Sequence, residues 1–186
     1  MKISELCREN EKIHSLLTFN SQKESIVRIV KRDSEVFVVT YMQKLDCYGR
    51  ISEFEYHGYI LENKHLLSGS AFITMWCNIV YDKEYQYVKN IFINDFICKT
   101  EYQNKGYGSI VMEQLIQYAK QLKVEYILGE LSFVDIGTSD TEKKHIKNRK
   151  RLYHFYPKFG FNIEEHLNKY GNTEKKIRLN INKSSM

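Results

Sequence analysis

Gln103-Asn104-Lys105-Gly106-Tyr107-Gly108-Ser109 separates two segments of different period, and no other stretch restricts the fold as much. Before it runs Ile91-Phe92-Ile93-Asn94-Asp95-Phe96-Ile97-Cys98, rich in β-branched and aromatic residues and about the length of a buried strand. After it, Val111, Leu115, Tyr118, Ala119 and Leu122 recur at i, i+4, i+7, i+8 and i+11. Glu113, Gln114, Gln117, Lys120 and Gln121 take the other side, which is the period of an amphipathic helix. The sequence therefore predicts a strand that turns through Gly-x-Gly into a helix.

Such a turn leaves several backbone N–H groups unpaired and pointing one way, with the positive end of the helix dipole behind them, an arrangement that binds phosphate. Gly106 permits the positive φ of a tight turn, Gly108 has no Cβ to hold a ligand off the backbone, and Lys105 adds a mobile charge. Two glycines near a helix start also make an ordinary turn, so the spacing alone decides nothing. It does thin out two nucleotide sites. Val111 stands where a dinucleotide fingerprint has its third glycine, and the Gly-Lys-Ser/Thr of a P-loop is absent.

Read as Gln-x-x-Gly-x-Gly with a strand before and a helix after, the stretch resembles the coenzyme A pyrophosphate loop of the GNAT superfamily of N-acetyltransferases. Tyr156-Pro157-Lys158-Phe159-Gly160-Phe161 resembles a second family mark, a Tyr-x-x-x-Gly-Phe segment ending a later helix. The resemblance implies acetyl-CoA as acyl donor and cofactor contacts from Gln103, Asn104, Lys105, Gly106, Tyr107, Gly108 and Ser109. It also implies main-chain contacts from Phe96 and Cys98, where the family splays its strands around the pantetheine arm, and a contact from Asn148. The family often places that asparagine seven residues before the tyrosine; here Asn148 is eight before, and Arg149 takes the seventh place.

Tyr156 is implied as the proton donor to the departing thiolate. A thiolate resembling cysteine has a pKa of about 8.5 and a phenol about 10, close enough for transfer in the transition state. Pro157 departs from the family's usual polar residue and biases Tyr156 away from the α region. For a general base the candidates are Asp95 and Glu130, carboxylates that interrupt apolar strands, or a water chain.

The rest of the chain fits a fold of the α/β class, α+β in type, with a mixed, mostly antiparallel central sheet and helices on both faces. Ile3 to Leu17 reads as a helix, followed by strands at Ser25 to Val30, Val36 to Met42, Ile51 to Ile60 and Ala71 to Val80. Turns are expected at Asp46 to Arg50 and Tyr81 to Glu84, and a further strand at Val124 to Phe133 pairs parallel through the crossover helix. Ser139-Asp140-Thr141-Glu142 is a capping box for a helix ending at Gly160, and Phe161 to Leu167 with Lys175 to Ile181 closes the chain as a hairpin. One domain is expected over residues 1–186, its family core at about 70–181; the two helices the family usually carries between its first two strands are not legible before residue 70.

Composition narrows function further. Neither an apolar leader nor a long apolar span is visible, so a cytoplasmic protein without membrane contact is expected. Cys7, Cys47, Cys77 and Cys98 are scattered without C-x-x-C, which favours free thiols, and the six histidines have no metal spacing, so no metal is called for. A net charge of +5 suits an anionic ligand but falls short of a dedicated nucleic-acid binder. Much of the excess lies in Lys143 to Arg151, read first as a solvated helix face. The leading expectation is acetyl transfer to a primary amine on a small molecule or peptide, by direct attack in a ternary complex. The alternative is a non-catalytic module that senses acyl-CoA or grips RNA, and no residue pattern sets the oligomeric state.

Overall fold

The computed structural model describes residues 25–32, 35–62, 65–66, 71–131, 150–167 and 173–181. The expected N-terminal helix, the capping box at Ser139 and Asn148 lie outside them. Along the chain the strands are β1 (Ser25–Arg32), β2 (Glu35–Leu45), β3 (Ile51–Glu62), β4 (His65–Leu66), β5 (Ile73–Tyr81), β6 (Val88–Cys98), β7 (Tyr126–Glu130), β8 (Asn162–Leu167) and β9 (Thr173–Asn180). Helix α1 is Tyr107–Gln121, residues 150–155 are helical, and 3₁₀ turns occupy Thr100–Tyr102 and Tyr156–Phe159.

The hydrogen-bonded strand order is β1-β2-β3-β5-β6-β7-β9-β8, with β4 beside β3. β6 and β7 pair parallel, with α1 between them in sequence, whereas β1–β2, β2–β3, β7–β9 and β8–β9 are antiparallel. The mixed, mostly antiparallel sheet is thus as expected. β7 is shorter than its apolar run: Lys123 takes a φ of 55° and Val124 N–H donates to Ala119 O at 3.2 Å, so the start of that run closes the helix instead.

Two compact units divide the chain: residues 1–77 with 95–114, and residues 78–94 with 115–186. In the first, Phe37 on β2 rests on the bare backbone of Gly58 on β3, where a Cβ would come within 2.9 Å of the ring. That contact settles Phe37 against Phe72, with centroids 5.7 Å apart. Val38, Thr40, Phe54, Tyr56 and Ile60 are buried along the same two strands. In the second unit, Ile91, Ile93, Ile127 and Ile177 are almost wholly buried along β6, β7 and β9. Gly129 leaves room there for the Ile177 side chain and the Ile93 carbonyl, each 3.2 Å from where its Cβ would stand.

The β2–β3 turn is organised by one carboxylate. Asp46 Oδ1 accepts from the Tyr48 and Arg50 amides at 2.8 and 3.0 Å, and its Oδ2 pairs with the Arg50 guanidinium at 2.7 Å. The Arg50 amide, with further help from the Arg50 side chain and the Tyr48 amide, holds the Asp46 carboxyl below its ordinary pKa of 3.8. A depressed carboxylate lends stability above its unfolded pKa and loses it as pH falls through the folded value. Asp46→Ala should therefore lower the midpoint of thermal unfolding at pH 7, and the gap from wild type should close as pH drops below the ordinary aspartate range near 3.8. A gap that is the same at pH 7 and pH 2.5 would show that the turn does not depend on the charge.

Candidate functional site

In the first unit, β6 ends at Cys98 and the chain reaches α1 through the Thr100–Tyr102 turn. Lys99 N–H donates to Phe72 O at 2.9 Å, Tyr102 N–H to Lys99 O at 3.0 Å and Gln103 N–H to Thr100 O at 3.2 Å, which fixes the approach. Gly106 then takes a φ of 82°, the left-handed corner its lack of Cβ permits. Asn104 is also left-handed, at a φ of 62°, a feature the sequence reading missed. The available signal was residue type, because asparagine tolerates this region better than other non-glycine residues.

Beyond the corner, Ser109 N–H donates to Gly106 O at 3.2 Å and Ile110 N–H to the same carbonyl at 3.4 Å, which starts the helix. Among the described residues the amides of Asn104, Gly106 and Gly108 meet no hydrogen-bond acceptor. Asn104, Lys105 and Gly106 are exposed, and the Lys105 ammonium stands 5.4 Å from the centroid of the Tyr102 ring. The arrangement can receive an anion on main-chain N–H groups at a positive helix end.

Not every expected contact presents itself in the same way. Gln103 Nε2 donates to Cys98 O at 2.8 Å, so this side chain caps the end of β6 and that carbonyl is engaged by the protein. The Cys98 thiol contacts Lys99 O at 3.6 Å. Tyr107 is buried, its ring 4.9 Å from Phe37 and 5.2 Å from Phe72, and its hydroxyl donates to Glu35 Oε2 at 2.5 Å. Its side chain anchors the first turn of α1 to β2. Glu35 lies 72 residues away in sequence, and nothing local could have disclosed it.

In the second unit, the parallel ladder of β6 with β7 runs from Asn90 opposite Tyr126 to Ile93 opposite Gly129, while β6 itself continues to Cys98. Among the described residues no pair with β7 follows Ile93; Phe96 and Cys98, where main-chain contacts were expected, are half-buried. Asp95 and Glu130 are exposed, and Glu130 faces Lys176 at 3.8 Å.

Tyr156 also lies in the second unit. Helix 150–155 gives way to a 3₁₀ turn at Tyr156 because the following Pro157 disfavours the α conformation in its predecessor. Gly160 closes that turn at a φ of 84°, and the Tyr156 carbonyl accepts from Gly160 and, at 3.4 Å, from Phe161. The Tyr156 ring is buried, edge-on to Phe155 at 5.3 Å and Phe161 at 5.5 Å. One turn earlier, Lys175 of β9 donates to the Tyr153 hydroxyl and pairs with Glu165 of β8, tying the helix to the hairpin. The hydrogen bond to Glu165, then that to Tyr153, raises the Lys175 pKa above its ordinary value of 10.5.

Among the described residues Cys47, Cys77 and Cys98 are free thiols, no cluster of His, Cys, Asp or Glu could hold a metal ion, and no helix is long and apolar enough to cross a membrane. Burial pushes the Cys77 thiol far above its usual pKa.

Residues 74–161 match the model of the acetyltransferase (GNAT) family. Three solved structures are similar. Nourseothricin acetyltransferase is 13% identical, with 86% of this chain and 84% of that one covered at a TM-score of 0.48. Arabidopsis thaliana Naa50, in complex with the bisubstrate analogue CoA-Ac-MVNAL, is 14% identical over 67% and 71% of the two chains, TM-score 0.47. The ribosomal-protein-S18-alanine N-acetyltransferase of Escherichia coli is 16% identical over 69% and 68%, TM-score 0.41. These are loose likenesses of architecture. No protein with a curated description matches.

The Tyr107 anchor can be tested without any ligand. Tyr107→Phe keeps the ring packing but strips the half-buried Glu35 carboxylate of its donor, and should cost about 1–2 kcal/mol. The check is the urea midpoint, expected to fall with an unchanged slope. An unmoved midpoint would mean that the hydroxyl does not hold the helix start.

Proposed function

We propose, from the match of residues 74–161 to the model of the acetyltransferase (GNAT) family, that the chain moves the acetyl group of acetyl-CoA to a primary amine by direct attack in a ternary complex. The observation that carries this reading is the set of main-chain donors at Asn104, Gly106 and Gly108 that meet no acceptor among the described residues, with a left-handed Gly106 at the start of α1. They suit a diphosphate, which needs several N–H donors converging without an opposing carboxylate. Lys105 adds charge from the same loop, and Ser109 is the next residue in reach. Gln103 contributes by holding the end of β6 in place.

One domain is proposed to carry the activity, since β5, β6 and α1 each begin in one unit and end in the other. Main-chain contacts from Phe96 and Cys98 to the pantetheine arm are proposed on the family resemblance, with both residues half-buried at the end of β6. Tyr156 is assigned as the proton donor to the leaving thiolate. Its support is the Tyr-x-x-x-Gly-Phe frame and the rigid turn that fixes its backbone. For the base, the exposure of both Asp95 and Glu130 favours water over either carboxylate. A contact from Asn148 remains part of the proposal on sequence grounds alone. The acceptor class is an amine on a small molecule or a peptide.

Titration calorimetry should give saturable binding of acetyl-CoA, and Gly106→Val, which forces a β-branched residue to a φ of 82°, should weaken it at least tenfold. No binding at millimolar acetyl-CoA would remove the reading. With an amine panel spanning a polyamine, an aminoglycoside, a free amino acid and an N-terminal peptide, Tyr156→Phe should lower kcat about 10²-fold with little change in acetyl-CoA affinity. An unchanged kcat would strip Tyr156 of its role, and tight binding without thiol release for any amine would favour a non-catalytic acyl-CoA sensor.

A further inference from the structure

β5 lies between β3 and β6 in the sheet, yet its Trp76, the chain's single tryptophan, is 39% exposed. Ile73, Met75 and Cys77 of the same strand are fully buried. Successive side chains of a strand point to opposite faces, so Trp76 stands with Thr74 on the other side of the sheet from those three. Its neighbour on β3 follows from one close contact. A Cβ on Gly58 would come 3.3 Å from Ile73 Cβ, so these two residues share a face at one level of the sheet. β3 ends at Glu62, soon after Gly58, and the nine residues of β5 stay alongside it only by running antiparallel toward Ile51. Three residues on from that contact in each strand, Trp76 therefore meets Glu55 on the opposite face, and Cβ atoms of such pairs are about 5 Å apart. All of these residues belong to the first unit.

The Glu55 carboxylate is held on one side only. Its Oε2 lies 2.9 Å from His57 Nε2, and the His57 ring is edge-on to Tyr59 at 6.5 Å, which fixes the carboxylate in place. Oε1 has no partner among the described residues, nor has the Trp76 indole N–H, and the Glu55 side chain is 32% exposed. A fixed carboxylate oxygen opposite a partly exposed indole attracts a cation with apolar shoulders, because the ring quadrupole and the charge act together. An anion would be repelled. We propose that Trp76 and Glu55 bind the ammonium group of an alkylamine. The site stands without the acetyl-CoA reading. Joined to that reading, on which this further step rests, it names the acceptor class: an ammonium held here stays charged and cannot attack a thioester, so the substrate carries a second amine, as a diamine or polyamine does.

Trp76 emission reports on the site directly. The full chain, without acetyl-CoA, is titrated with diaminobutane and with butanediol, its uncharged counterpart, and followed by that emission and by calorimetry. Saturable binding of the diamine and none of the diol are expected. Glu55→Gln, which keeps the shape and removes the charge, should weaken the diamine about tenfold, and Trp76→Leu about threefold. Glu53, on the same face of β3, is engaged by Lys44 at 3.0 Å, so Glu53→Gln should leave the affinity as it is. Should Glu55→Gln fail to fold, the loss in Trp76→Leu decides. No saturable binding at millimolar diamine, equal responses to diamine and diol, an undiminished affinity in Glu55→Gln, or an equal loss in Glu53→Gln overturns the site. In turnover with acetyl-CoA, Glu55→Gln should raise the KM for the diamine with little change in kcat. A wild type that binds the diamine and never acetylates it keeps the site and overturns the acceptor assignment, whereas failure to bind acetyl-CoA removes the acetyl-CoA reading alone.

Discussion

The chain has to leave a strand and begin a helix within nine residues, and the left-handed corner at Gly106 is what allows it. A residue with a Cβ at a φ of 82° would strain the turn, and a relaxed turn would carry the helix off in another direction. With the corner in place, Gly106 O starts α1 by accepting from Ser109 and Ile110, while the amides of Asn104, Gly106 and Gly108 meet no acceptor among the described residues. The corner alone would only aim the helix. Tyr107, the next residue, drives its ring between Phe37 and Phe72 and its hydroxyl onto Glu35, so that the direction is held by packing on β2. Each aromatic pair is worth about 1 kcal/mol beyond the area it buries. That makes this one side chain the main restraint on where the free donors point.

Among the described residues the parallel ladder of β6 with β7 covers Asn90 to Ile93, and β6 itself goes on to the Gln103-capped end at Cys98. Parallel strands joined by a helix are ordinarily buried and apolar throughout. Here Asn90 and Asn94 alternate with the buried Ile91 and Ile93 and share their face with the half-buried Phe92.

Much of this was legible in the sequence because it rests on residues with few options. Gly106 and Gly160 both sit at left-handed corners, as their type and position implied, and the alternation at Phe54, Tyr56 and Ile60 located β3 correctly. Pro157 signalled a change at Tyr156, and the α-helix does give way there to a tighter turn. What escaped reading depended on distance in sequence or on burial. Tyr107 looked like a loop residue, because its partners Glu35, Phe37 and Phe72 lie 35 or more positions away. Asp95 drew attention as a charge in an apolar run, yet it is exposed, and its neighbour Asn94 carries the buried, unpaired atom. Charge is conspicuous in a sequence, whereas unmet hydrogen bonding appears only once the fold decides which atoms water can reach.

The two sets of unpaired donors differ in what they cost the unliganded protein. Asn104 and Gly106 are exposed, so water satisfies their amides and leaving them open costs almost nothing. Asn94 Nδ2 is buried with no acceptor among the described residues, and an unmet donor there costs about 1–3 kcal/mol against a total stability on the order of 5–15 kcal/mol.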